Sequence, residues 1–556
     1  MTKRNLTAID QLANSYMQSL LDMTPELVTA LGMPGADESK YSDFSPVGSE
    51  TMADLNRRTL SELAKLNPVD DTDRATAAAM RDELNVRLEY HNLGEEGDLN
   101  NIATPLQGVA EIFDNMPQDS LEDWKLITAR MSNTSQALAG WKKTLKKRAE
   151  SGPPLSIRQI ELCIDQAKNT ASENSTFVDL ANRAAKKHPE IAERINATAK
   201  SAQAAYADLA EFLADVVAPF GVERDAFGRE RYALRSYDSI GAAVDLDETY
   251  EWGKSELDRI IAEQNDISRE LYGPGVSIRE AMDRLNNDPS RQLHSSEELR
   301  EWMQETSDRA LDALSGTHFD IPEPLRKLEC MIAPSGTGAI YYTGPTDDFS
   351  RGGRMWWAVP HGTETFTTWQ EKTTVYHEGV PGHHLQIGYT TYLKDELNDW
   401  RRHGCWKSGH GEGWALYAEG LMAELGFMED PGDRMGVLDS ERLRAARVVL
   451  DIGVHLEKPA PTKYQHINPT WNRDVAWEFL KDNVAMDHSF LSFELNRYLG
   501  WAGQAPSYKV GHRLWKEMRA EATQREGSAF DLKAWHTKAL RLGSLGLDVM
   551  REELAS

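Results

Sequence analysis

Apolar side chains return at helical spacing through most of this 556-residue chain, and that period confines it to a mainly α fold. In the stretch Asp73–Gly94, the residues Ala77, Met80, Leu84, Leu88 and Tyr90 recur near one face, and Gly94 can end the helix. The same pattern runs through residues 120–149, 156–183, 188–217, 246–272 and 296–314. Pro- and Gly-containing segments, Ser151–Ser156 and Tyr272–Ser277, separate the helices. No internal repeat or low-complexity tract interrupts them. The reading is one unit over 1–556, in which 1–330 form a helical scaffold half and 331–556 carry the chemistry. Near residue 331 the composition turns to Gly, Thr and aromatics, and Gly338–Gly344 and Gly353–Val359 read as short strands. Helices resume near Gln370 and run almost to the end.

The formal net charge is −26, which argues against nonspecific binding of nucleic acid. Three widely spaced cysteines, Cys163, Cys330 and Cys405, do not form a disulfide framework, so a reducing compartment is expected. The N-terminus lacks the apolar core of a signal peptide, and no apolar run is long enough to span a bilayer. From these features a cytoplasmic protein without a membrane or nucleic-acid partner is expected. They leave its oligomeric state open.

The sharpest local signal is His377-Glu-Gly-Val-Pro-Gly-His-His-Leu-Gln386. A zinc site needs about three His or carboxylate ligands and an open position for water. His-Glu-x-x-His supplies two ligands one helical turn apart, with the Glu as base. Here Pro381 stands where the second histidine belongs, and His383 and His384 follow. In a straight helix His384 returns to the face of His377 but lies about 10.5 Å along the axis. His383 falls on another face. Pro381 and Gly382 forbid a straight helix, and an irregularity at Val380–Gly382 would let His383 or His384 swing back toward His377. A third ligand is expected on the apolar helix Gly409–Gly426, where Glu412 and Glu419 share one face. We assign Glu412 as ligand and Glu419 as its support.

His377-Glu-x-x-Pro-Gly-His-His-x-Gln386 resembles the signature of a large bacterial family catalogued as a domain of unknown function. Asn101–Gly108, Gly228–Tyr232, Glu412–Glu419, Arg444–His455 and Arg497–Gly511 follow in that family's order, so the resemblance covers nearly the whole chain. The family is in turn distantly similar to Taq-type zinc carboxypeptidases and other gluzincins. The resemblance implies a large helical metallopeptidase-like fold with a central cleft and a small β-sheet next to the active site. It implies His377 as first ligand, Glu378 as catalytic base, His383 in preference to His384 as second ligand, Glu412 as third, and one zinc ion.

Hydrolysis of an amide also needs a donor for the oxyanion and groups that hold the substrate. Arg444, Arg447, Asp451 and His455 trace one helical face. Tyr498 and Tyr508 can donate phenolic hydrogen bonds, and Tyr508 is preferred because it follows a Gly- and Pro-containing loop. The candidate catalytic set is Glu378, His455, Tyr498 and Tyr508. Arg444, Arg497 and Lys509 are candidates to grip a substrate carboxylate. The strands can add a peptide backbone by edge pairing, with Gly336 and Gly338 allowing close approach; Trp356 and Trp357 either line a side-chain pocket or pack in a hydrophobic core. Cys405 beside His403 and His410 is a weak thiol-nucleophile signal, and no serine-nucleophile elbow or phosphate loop is present. The expected function is zinc-dependent, carboxypeptidase-like hydrolysis of peptides. Its rivals are hydrolysis of a non-peptide amide or ester, and peptide binding without turnover.

Overall fold

A computed structural model describes residues 4–333, 340–360 and 362–556. The helical period is realised: the molecule is mainly α-helical, with two small sheets among the described residues. The first helix singled out spans Asp71–Asn92 and starts where the Asp70 side chain accepts from the Asp73 amide. Leu246–Tyr272 and Ser296–Leu314 match their expected bounds closely. The stretch 120–149 divides at Asn133 into Leu121–Ser132 and Thr134–Ser151, and 156–183 divides into Ile157–Ala171 and Thr176–Lys187.

The buried apolar side chains gather into two cores. One belongs to a helical lobe between Leu99 and Val217, filled by Trp124, Trp141, Phe177 and Tyr206. The larger core takes in the rest of the chain, including the N-terminal helix Ala8–Met23. That helix is tied to the C-terminal half by the Asn398 amide donating to Asp10 at 3.0 Å.

A three-stranded sheet lies beside the functional half. Gly353–Trp357 is its centre, paired parallel to Leu328–Ile332 and antiparallel to Tyr341–Thr343. Leu328–Ile332 has no counterpart among the expected strands. Gly336, Gly338 and Ala339 lie outside the described residues, so the expected approach at the two glycines does too. Trp357 is buried in the core, while Trp356 is half-buried and stacks on Tyr341. A second sheet is one short antiparallel pair, Gln292–Leu293 with Phe366–Thr367, which leads into the helix that carries His377.

Candidate metal centre

The helix Thr368–Glu378 ends at Glu378, and a separate helix, His383–Tyr392, begins four residues after Gly379. The expected irregularity is a complete break rather than a bulge, and the Val380–Pro381 peptide bond is cis. Gly382 makes the turn possible. Its amide donates to the Tyr376 carbonyl at 3.1 Å, and a Cβ on it would lie 1.9 Å from the His377 carbonyl oxygen. The break reverses the chain tightly enough to bring His383 against His377, with the ring centres 4.9 Å apart and the planes perpendicular.

Glu412 comes from the buried helix Ser408–Glu424. That helix approaches Ser507–Glu526 through glycines on both sides; a Cβ on Gly413 would meet the Gly511 backbone at 2.5 Å. The Glu412 carboxylate then sits 3.4 Å from His377 Nε2 and 3.7 Å from His383 Nε2. One ligand atom each from His377, His383 and Glu412 lies within 4.8 Å of the others, an arrangement that can hold a metal ion. Two imidazoles and a carboxylate are a donor set suited to zinc and related divalent ions.

The surroundings prepare these ligands. Glu419, two turns beyond Glu412, contacts the other side of the His377 ring, with its carboxylate 2.7 Å from Nδ1. Thr373 and Ser440 both donate to the second oxygen of Glu419, Ser440 at 3.0 Å. A neutral His377 therefore donates through Nδ1–H and offers its Nε2 lone pair to the cluster. Burial opposes a charged imidazole here, but Glu412 and Glu419 outweigh it and hold the metal-free His377 up at about 10. Burial also acts against the Glu412 anion, yet its two histidine neighbours keep its carboxyl far below the usual range. Each partner thus favours the charged form of the other. His383 Nδ1 is buried without a hydrogen-bond partner among the described residues, and the ring packs against His377 and the half-exposed Trp406.

Glu378 is buried beside the cluster. Burial raises its carboxyl above the ordinary value, only partly offset by His383 and His377. His384 is set apart from its neighbour. Its Nδ1 meets the Tyr342 hydroxyl at 3.0 Å and its Nε2 the Leu325 carbonyl at 2.8 Å. Both ring nitrogens are used by the protein, so His384 joins the motif helix to the sheet and is not part of the ligand trio.

The downstream candidates divide as well. Tyr508 is half-buried beneath the Arg447 guanidinium, 5.3 Å from ring centre to carbon, and Glu412 is the charge that most affects its hydroxyl. Tyr498 is fully engaged: it donates to Glu494 at 2.5 Å and accepts from Arg447 at 2.7 Å. His455 is buried between Phe227 and Tyr232, with Nε2 on the Tyr498 carbonyl at 3.1 Å. It lies eleven residues beyond Arg444, about 16.5 Å along the same helix, and serves the core rather than the cluster. Arg497 makes a fork-shaped pair with Glu494 at 3.0 and 2.9 Å, and Lys509 is buried between Glu256 and Glu441 at 3.0 and 3.3 Å. Neither is available to a substrate carboxylate. Arg444 is different: it donates to Ser440 at 2.8 Å and has no ion-pair partner among the described residues. Through Ser440 and Glu419 it connects to His377. The sequence reading assigned no role to Thr373 or Ser440, although Thr373 lies one turn before His377 and Ser440 one turn before Arg444.

Fold and site together define a class: a large, mainly helical protein with a His-His-Glu trio, its two histidines buried, able to bind a metal. The chain belongs to the bacterial family of proteins of unknown function DUF885, which matches over residues 25–554. No curated protein matches it. Solved structures share the fold, two of them over nearly the whole chain. One, from Colwellia psychrerythraea, is described as a "putative lipoprotein"; it is 21% identical, with a TM-score of 0.81 and 98% of each chain covered. The other, described as a "putative lipoprotein of unknown function" from Shewanella oneidensis, is 16% identical, with a TM-score of 0.76 and 99% and 100% of the two chains covered. No described helix of the present chain is long and apolar enough to cross a membrane.

Proposed function

We propose that this protein is a zinc-dependent metallohydrolase that cleaves peptides. The observation that carries the proposal is the convergence of His377, His383 and Glu412 beside a buried carboxyl, Glu378, whose affinity for a proton is raised by its surroundings. A divalent ion held by the trio supplies Lewis acidity toward a carbonyl and lowers the pKa of water. Glu378 takes the proton of the attacking water and passes it to the leaving nitrogen. In this reading Tyr508 would donate to the oxyanion and Arg444 would receive a substrate carboxylate. Glu419 holds the His377 ring in the tautomer the site requires. The resemblance to gluzincins supports the same reading.

Carboxypeptidase-like action is the preferred subclass, with Arg444 as the terminal-carboxylate contact. The internal pairing of Arg497 and Lys509 favours a second reading, hydrolysis of a non-peptide amide or ester, because it removes two of the three expected carboxylate anchors. Metal content, followed by cleavage of a peptide library with and without chelator, tests the proposal. Chelator-sensitive cleavage that disappears in Glu378→Gln is expected. Stoichiometric metal with no turnover would leave a binding protein, and turnover of small amides alone would select the second reading.

We place this activity in the cytoplasm, supported by three buried cysteines without disulfide partners. Recovery in the membrane fraction on cell fractionation would overturn that placement.

A further inference from the structure

A cavity of about 850 Å³ lies between the two cores, and none of the metal-centre residues lines it. The helices Pro46–Leu63 and Asp71–Asn92 form one side and the lobe helix Thr134–Ser151 the other. Met23, Phe44, Met52, Val86 and Pro105 give it apolar walls, and its size suits a small molecule. The carboxylates on the walls are mostly engaged. Glu83 pairs with Arg87 at 2.8 Å and Lys407 at 2.6 Å, Asp238 with Lys407 at 2.8 Å, Asp98 with Arg235 at 2.8 Å, and Glu96 with His91. Glu95 holds three guanidinium groups, and Asp43 accepts from the Ser45 amide at 2.9 Å. The donors are not engaged. Trp141 and Asn56 are each only 2% exposed, yet the indole N–H and the amide NH2 make no hydrogen bond among the described residues. Both nitrogens open onto the cavity rather than being sealed in the core. Asn56 Oδ1 accepts from the Tyr16 hydroxyl at 2.9 Å, which orients the amide, and Arg87 lies close to the same hydroxyl. Arg87 donates to Glu83 through Nε, and its two Nη groups have no carboxylate partner among the described residues. Enclosed donors without partners are costly. Here they stand on opposite walls of one cavity, where a ligand carrying acceptor oxygens satisfies them together.

We propose that this cavity is a second binding site, for a small molecule with an apolar body and a terminal carboxylate. The body takes up the apolar walls. Arg87 and Asn56, gathered at the Tyr16 hydroxyl, receive the carboxylate, and Trp141 donates to a ligand oxygen from the opposite wall. An ammonium is the poorer match, because of the six wall carboxylates only Asp43 lacks a cationic or imidazole partner. The walls belong to different cores, so an occupant ties the lobe to the rest of the molecule. The proposal stands apart from the metallohydrolase reading and does not depend on it.

Decanoate, decanamide and decylamine share one apolar body and differ in the head group, so they test the proposal directly. Calorimetric titration of the whole protein is expected to rank decanoate first, by about tenfold or more over the amide, the strength of one charge-assisted contact. Bound decanoate should slow amide hydrogen exchange in Pro46–Leu63, Asp71–Asn92 and Thr134–Ser151. Arg87→Gln can still donate to Glu83, and it should weaken decanoate about tenfold with decanamide nearly unchanged. Asn56→Asp keeps the acceptor for Tyr16 but exchanges the donor for an oxygen, and it should also weaken decanoate more than decanamide. Arg444→Gln, at the metal centre, should leave decanoate binding as it was. Equal affinity for the three heads, preference for the amine, or no measurable binding overturns the proposal. So does protection confined to the helices of the metal centre, or binding that is lost in Arg444→Gln and retained in Arg87→Gln. If the cavity variants fail to fold, the ranking of head groups and the exchange pattern of the parent protein decide the matter. Every one of these outcomes leaves the hydrolase reading standing.

Discussion

His377 stands between two carboxylates from one helix, 3.4 Å from Glu412 and, through its other nitrogen, 2.7 Å from Glu419. In the metal-free protein its proton is retained to about 10, against an ordinary 6.5. The stabilisation of the fold by this charged pair is therefore complete below 6.5 and fades as pH rises toward 10. A metal ion must displace the proton, so metal affinity is expected to rise up to tenfold per pH unit below about 10. Calorimetry in buffers of different ionisation enthalpy should show about one proton released near neutral pH. Glu419→Gln weakens the acceptor behind the ring and is expected to lower metal affinity about 10- to 100-fold without unfolding the protein. The adjacent histidines separate cleanly by substitution. His383→Leu should lose the metal, whereas His384→Leu should keep one equivalent and lower Tm through its lost contacts with Tyr342 and Leu325. Retention of full metal by His383→Leu would refute the ligand assignment.

At the scale of elements, the site depends on how two short helices meet. The turn between Glu378 and His383 leaves no room for a side chain at Gly382, where a Cβ would lie 1.9 Å from the His377 carbonyl oxygen. Gly382→Ala must move the backbone that carries both histidines. We expect a loss of about 3 kcal/mol or more in stability together with loss of the metal. Denaturant unfolding and metal analysis of the same sample check both parts. A stable, metal-replete Gly382→Ala protein would show that the spacer is not what brings the ligands together.

At the scale of the whole molecule, a buried ionic hub links the helical lobe to the rest. Glu95 receives Arg148 from the lobe helix Thr134–Ser151 at 3.0 Å, and Arg231 and Arg235 from Arg229–Ile240 at 2.5 and 2.6 Å. Burial opposes the Glu95 anion, but the three guanidinium groups outweigh it and depress the carboxyl to about 2. Its contribution is present above the ordinary 4.5 and is lost as pH falls toward 2. Glu95→Ala takes the ion-pair partner from Arg231 and leaves Arg235 and Arg148 to Asp98 alone, at 2.8 and 3.6 Å, and should cost about 3 kcal/mol. Acid titration of the fold should show the parent losing stability across that window more steeply than the variant. Equal slopes would mean the hub contributes nothing to acid sensitivity.

Local chemistry along the chain was enough to specify the helical class, the His377-Glu378 pair, an irregularity at Pro381-Gly382, and Glu412 with Glu419 on one helical face. Each depends on residues within a few turns of one another, so spacing alone carries the information. The helix ends at Asn133 and near Ser172 left weaker marks because neither has the Pro or Gly punctuation found elsewhere. The strand Leu328–Ile332 was not legible because its partner, Gly353–Trp357, lies some 25 residues away. Tertiary packing also distinguished the adjacent His383 and His384: the Leu325 carbonyl and the Tyr342 hydroxyl claim one ring and leave the other facing His377. It likewise committed Lys509 to Glu256, some 250 residues earlier, and turned His455 into the core. A side chain's type states what it can bond; which partner arrives first within reach is a property of the folded chain.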